Sequence, residues 1–298
     1  DTQLAALGTS QIAGMKATQI KAIETRDLAG LTSAQMVALN ATQLAAFSNS
    51  QLNALSTTQV AAIETADLAA MSTKQIAAFT ANQIAGMSTS QVSNLRAFQL
   101  AAISTDGIAA MSSGQIKSLS VSQLSALKPA QIQAMTSTQF SALGTDLIQG
   151  LTAKQMAAIE TRDLAGLGTD QIAGLSSGQV SGFTGAQLAA LSNGQVTAVE
   201  TTDLTSVRGN EFISFTPAQV QAMSTSQISA LTKAQITKLS APALQGMNTS
   251  QMAAISSDQA ATMTSADLAA IGTDDGPRRA RVDVAFDNSQ GYILGIMA

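Results

Sequence analysis

The chain has no cysteine, no histidine and no tryptophan, and only 11% of its residues carry a charge. Disulfides, thiol and imidazole chemistry and most transition-metal sites are thereby excluded. The net charge is −4; cations such as Lys16, Lys74, Lys117 and Lys154 are scattered singly, and Arg278-Arg279-Ala280-Arg281 is the only basic cluster and reads as a solvated turn. No basic stripe is available for nucleic acid or an anionic membrane. No apolar run approaches the roughly 18 residues that a membrane-spanning helix needs, so no transmembrane segment is expected. No nucleophile–base pair, metal cluster or phosphate loop can be assembled, so neither an enzyme nor a cofactor is expected. No signal peptide is visible. The sequence opens at Asp1 without a starting Met and already inside its pattern, which reads as a processed chain or part of something larger.

What is present is a period of eight. Apolar residues recur every eighth position from Leu4 to Leu268 and again from Leu7 to Ile271. The consensus is Ser/Thr–x–x–Gln–Ile/Leu–Ala–Ala–Leu/Met, with Ser88-Thr89-Ser90-Gln91-Val92-Ser93-Asn94-Leu95 as one copy. A fixed period is the mark of a repeat architecture.

With Ser88 as helix N-cap, Gln91 falls at the third helical position, and Ser-x-x-Gln is a capping box. Met87 and Val92 have the spacing of a hydrophobic staple. Thr32, Asn40, Ser56, Gly144, Thr216 and Asn248 occupy the same cap position. The third position departs from Gln to Asp at Asp27, Asp67, Asp163, Asp203 and Asp267, to Glu at Glu211, and to Gly107, Leu147 and Ala243. The prolines agree with this phase. Pro129 and Pro217 land at the first helical position, where the missing N–H costs nothing, and Pro242 lands one further on.

One continuous helix would rotate by about 80° per octad and wind its apolar stripe around the rod. A β-solenoid would want alternation rather than an apolar pair three apart. The predicted fold is all-α: a solenoid of very short capped helices over 1–271, one of about seven residues per octad. Small residues before the second apolar position (Gly14, Gly30, Ala38, Gly86, Gly174, Gly246) predict close backbone approach between neighbours. Two buried aliphatic side chains supply roughly 3–6 kcal/mol. Ordering eight backbones costs on the order of 8–16 kcal/mol. An octad cannot stand alone, and stacking must also bury the alanine faces and cap backbones.

A longer echo runs through the short one. Glu24-Thr25-Arg26-Asp27-Leu28-Ala29-Gly30-Leu31 recurs from Glu160 to Leu167. Glu64 and Glu200, Phe47 and Phe183, Phe79 and Phe215, and Gly107 and Ala243 share that 136-residue offset. Duplication of a seventeen-octad unit accounts for this, and a whole number of superhelical turns would give it a structural meaning. The Glu/Asp octads suggest Ca²⁺, but two carboxylates on one cap are too few, and the helix dipole already favours them there.

The repeat ends near Ile271. Residues 272–298 read as a linker and a hairpin-like β tail, with Val282, Val284 and Phe286 on one candidate strand and Tyr292, Ile293, Leu294 and Ile296 on the other. An isolated hairpin is marginal in water. These residues are therefore candidates for capping the solenoid or pairing with another copy.

Copies such as Leu31-Thr32-Ser33-Ala34-Gln35-Met36-Val37-Ala38-Leu39 and Leu231-Thr232-Lys233-Ala234-Gln235-Ile236 resemble octapeptide tracts of large bacterial secreted or surface proteins. A likeness of Thr216–Met223 to the first helix of TAL-effector repeats fails on period and on the missing basic stripe. The resemblance implies a bacterial, extracellular or cell-surface location. The function expected is a non-enzymatic structural protein that assembles with copies of itself into a filament, sheath or layer, with other surface components as further partners. The alternative is an adhesin or ligand-binding stalk presenting a Ser/Thr/Gln face to a glycan, ice or another surface.

Overall fold

The computed structural model describes residues 2–272 and, beyond them, only the backbone of residues 282–285 and 293–296. Each octad forms one short helix. Ser88 is extended at φ −71°, ψ 159°, and its hydroxyl accepts from the Gln91 N–H, satisfying one of the amides that a helix start leaves open. The helix Thr89–Asn94 then ends because Leu95 returns to extended backbone (φ −63°, ψ 138°), its N–H donating to the Val92 carbonyl. Pro129 and Pro217 stand at the first helical position of their segments, and Pro242 at the second.

The segments are shorter than the seven residues expected. Most α-helical ones run for four to six, since the second apolar residue leaves the helix. Three octads wind more tightly, as 3-10 turns at Thr25–Gly30, Leu164–Gly166 and Gly209–Ser214. Glu24 and Arg208, which head two of them, make no side-chain cap bond. Glu64 and Glu200 make none either and yet head α-helical segments. Loss of the cap bond permits the tighter winding without enforcing it.

The chain divides into two compact units, residues 1–151 and 152–298. Both are solenoid-like and all-helical through residue 272. In each, the two apolar positions of an octad form the interior: Val92 is 0% exposed and Leu95 3%, Val220 0% and Met223 3%. The Ala-Ala pair does not join them. Ala85 and Ala101 illustrate the usual pattern, in which the fifth helical position stays exposed or only half-buried.

Successive turns are staggered. Helices three octads apart pack side by side, as Ala81–Gly86 does with Thr105–Ala110 and Pro217–Ala222 with Ala241–Gly246. Gln83 meanwhile reaches carbonyls 28 and 31 residues back, in the fourth octad before it. A turn thus closes between three and four octads. Each helix lies over the joint between two helices of the turn below, as bricks lie over joints. The stagger needs small residues where backbones cross. A Cβ on Gly182 would come within 2.6 Å of the Ala153 carbonyl oxygen, and one on Gly86 within 3.0 Å of the Thr57 Cβ. Close approach at this position was expected, and Gly86 and Gly182 show it.

Candidate functional site

The glutamine that most octads carry at the third helical position is bonded through both ends of its amide. Its Oε1 accepts the cap N–H of its own helix, 2.8 Å from Ser88 N in the case of Gln91. Its Nε2 crosses to the previous turn and donates to the carbonyls of Val60 (3.0 Å) and Ile63 (2.8 Å). Those carbonyls belong to the end of a helix, where acceptors lack intrahelical donors. One side chain therefore caps the start of its own helix and the end of another, one turn away.

The same bonds recur at each glutamine of this position from Gln35 to Gln139 and from Gln187 to Gln259. In each unit they form a ladder along the inside of the wall. Gln91 is 2% exposed, which corrects the expectation that glutamine belongs to an outward Ser/Thr/Gln face. The amide is committed to the fold.

Four stretches of the chain are similar to the ALTTAQ repeat. The ALTTAQ repeat matches residues 20–57, 60–97, 121–153 and 156–193, just under half of the chain. The first and last of these matches differ by 136 residues at both ends, the offset of the internal echo. No curated protein matches the chain.

Departures within and around the ALTTAQ tract show what the ladder requires. Asp203, 8% exposed, cannot donate to carbonyls and instead accepts from the Ser177 hydroxyl at 2.5 Å. Gly107 and Ala243 have no polar side chain and make no such bridge. Two of the acidic caps considered for Ca²⁺ are answered by arginine, with Arg26 2.7 Å from Glu24 and Arg162 2.7 Å from Glu160, whereas the octads of Glu64 and Glu200 contain none. Among the described residues no group of three or more carboxylates is placed to hold a metal ion. Among them, too, no helix is long and apolar enough to cross a membrane.

One irregular region of the outer surface among the described residues lies in the first unit. Two adjoining open hollows in the first unit, of about 590 and 690 Å³, share Asn49 and Lys74. Arg96 and Phe98 line the larger one, with the Arg96 guanidinium 4.8 Å from the Phe98 ring centroid. Phe98 is 53% exposed, whereas Phe47, Phe79, Phe140, Phe183, Phe212 and Phe215 are buried. Sequence reading passed over this octad because its apolar positions and its Gln99 are regular. The available signal was Arg96 in place of a capping hydroxyl.

Of the tail residues singled out from sequence, Phe286 and Tyr292 lie outside the described residues. Val282, Val284, Ile293, Leu294 and Ile296 have described backbone only, so the structure does not bring their side chains together with any site.

Proposed function

We propose that this chain is a non-enzymatic structural repeat protein that stacks end to end with copies of itself, forming an extracellular or surface filament, sheath or layer. The observation that supports this most is the polarity of the glutamine ladder. Each Nε2 donates toward the lower-numbered turn, never the higher. Any such tract therefore presents amide donors on one face and carbonyl acceptors on the other. Gln11 and Gln19 keep the bond from Oε1 to their own cap N–H, at 2.7 and 2.8 Å. They are exposed and make none of the carbonyl bonds that Gln35 makes, because the positions 28 and 31 residues before them would precede Asp1. No glutamine stands 28 or 31 residues beyond Leu244, Met247, Met252 or Ile255 to claim their carbonyls. Heterologous, head-to-tail contacts of this kind extend into filaments when their rotation does not close.

The tail offers a second contact. Antiparallel pairing of Val282–Ala285 with Ile293–Ile296 supports the hairpin reading, and an exposed strand edge can accept another copy. Sedimentation at rising protein concentration tests the proposal. Association is expected for the full chain and should be lost when Gln11 and Gln19 are both replaced by Glu, which turns donors into acceptors. A chain that stays monomeric at high concentration, or a double variant that associates unchanged, would remove the ladder as the means of assembly.

A further inference from the structure

We infer that the hollow beside Phe98 in the first unit binds an acidic oligosaccharide, gripping uronate-type sugars through one exposed aromatic ring and two cations. This does not depend on the chain assembling with itself.

Three residues here depart from the repeat in ways that folding does not reward. Arg96 occupies a cap position and makes no side-chain cap bond, forfeiting what Ser88 supplies one octad earlier. Phe98 sits at the second helical position, a small polar residue in most octads, and leaves half its surface in water. Lys74 stands in the first turn of the helix Thr73–Ile76, where the helix dipole disfavours a cation. All three converge on one hollow.

The chemistry of the hollow selects its occupant. Arg96 and Lys74 pair with no carboxylate among the described residues, and no carboxylate lines either hollow. A patch with two unanswered cations, in a chain of net charge −4, calls for an anion. A guanidinium takes a carboxylate by paired hydrogen bonds. The Phe98 ring offers an apolar plane for the C–H face of a pyranose, and Asn49, which lines both hollows, brings an amide suited to hydroxyl groups. Such a mixture of one apolar plate and a few placed polar groups is the usual make-up of a small-ligand site. A nucleic acid could stack on the same ring, but its affinity rests on neutralising many phosphates, and two cations on an acidic chain do not provide that.

The substitutions that test this carry their own control for folding. Arg96→Ser restores the capping hydroxyl, and Phe98→Ser restores a consensus-like residue at an exposed position. Both variants should melt no lower than the parent chain. Titration of the full chain with a hexameric mannuronate, followed by calorimetry, should give saturable binding. Each variant should weaken that binding about tenfold or more, and a neutral cellohexaose should bind neither parent nor variant. Absence of saturable binding to the uronate would overturn the site. So would binding left unchanged in both variants, equal binding of the neutral hexaose, or tighter binding of a thymidine dodecamer.

Discussion

Glutamine at the third helical position is required as a donor and an acceptor at once. In Gln91 the acceptor half serves Ser88 N and the donor half serves Val60 and Ile63. A carboxylate would keep the first role and lose the second, leaving a buried charge against carbonyl oxygens. Gln91→Glu should therefore cost about 3–5 kcal/mol at neutral pH. The new carboxyl would have its folded-state pKa raised above the unfolded value, because only its protonated form can donate. Stability of this variant should fall as pH rises from the unfolded pKa to the folded one, and recover on acidification. Urea denaturation of variant and parent between neutral and mildly acid pH checks the sign. Half of the glutamine's work was legible, since a capping box is a local pattern. The other half was not, because the acceptors lie 28 and 31 residues away. Three of the departures share a neighbour at the same distance. Phe79, Phe183 and Phe215 stand 28 residues before Gly107, Glu211 and Ala243. At the fourth such phenylalanine the bond survives but is stretched, with Gln75 Nε2 3.4 Å from the Phe47 carbonyl. A phenylalanine at the second apolar position thus competes with the bridging glutamine above it. Ala243→Gln and Phe215→Leu should then couple favourably in a double-mutant cycle, by about 1 kcal/mol or more. Additive effects would count against the competition.

The helices are too short to form by themselves. Four to six residues lie far below the length at which isolated helices hold in water, so each exists because both its ends are capped and its apolar pair is buried. The cap end was readable from Ser-x-x-Gln and from Pro129 and Pro217. The stop comes one to three residues earlier than the pattern implies, since the second apolar residue is extended rather than helical and some segments end before reaching it. That geometry makes a positional test possible. Thr89 is the first helical residue, and Ser88 before it is already extended, as the residue preceding a proline prefers. Thr89→Pro should change stability by less than about 1 kcal/mol. Ser93→Pro, four residues later in the same helix, should cost about 3 kcal/mol. Melting temperatures of the two variants separate these outcomes, and equal losses would mean that the helix boundaries are misplaced.

At the scale of the molecule, cohesion in each unit comes from the bond between turns rather than from any one helix. The octad period announced a solenoid, and the capped all-helical units agree with it. The number of octads in a turn was hidden, because eight-residue periodicity is the same whatever the curvature. It emerges only from Gln83 reaching Leu52 and Leu55 while Gly86 rests on Thr57. The stagger those contacts define makes every turn depend on the one below and gives the wall its direction. Hydrogen exchange of the glutamine side-chain amides, followed residue by residue by NMR, tests this most directly. The Nε2 protons of the bridging glutamines, Gln43 and Gln91 among them, should exchange as slowly as core backbone amides, while those of the exposed Gln11 and Gln19 exchange at the rate of free glutamine in dilute protein. Uniformly fast exchange across both groups would contradict the ladder.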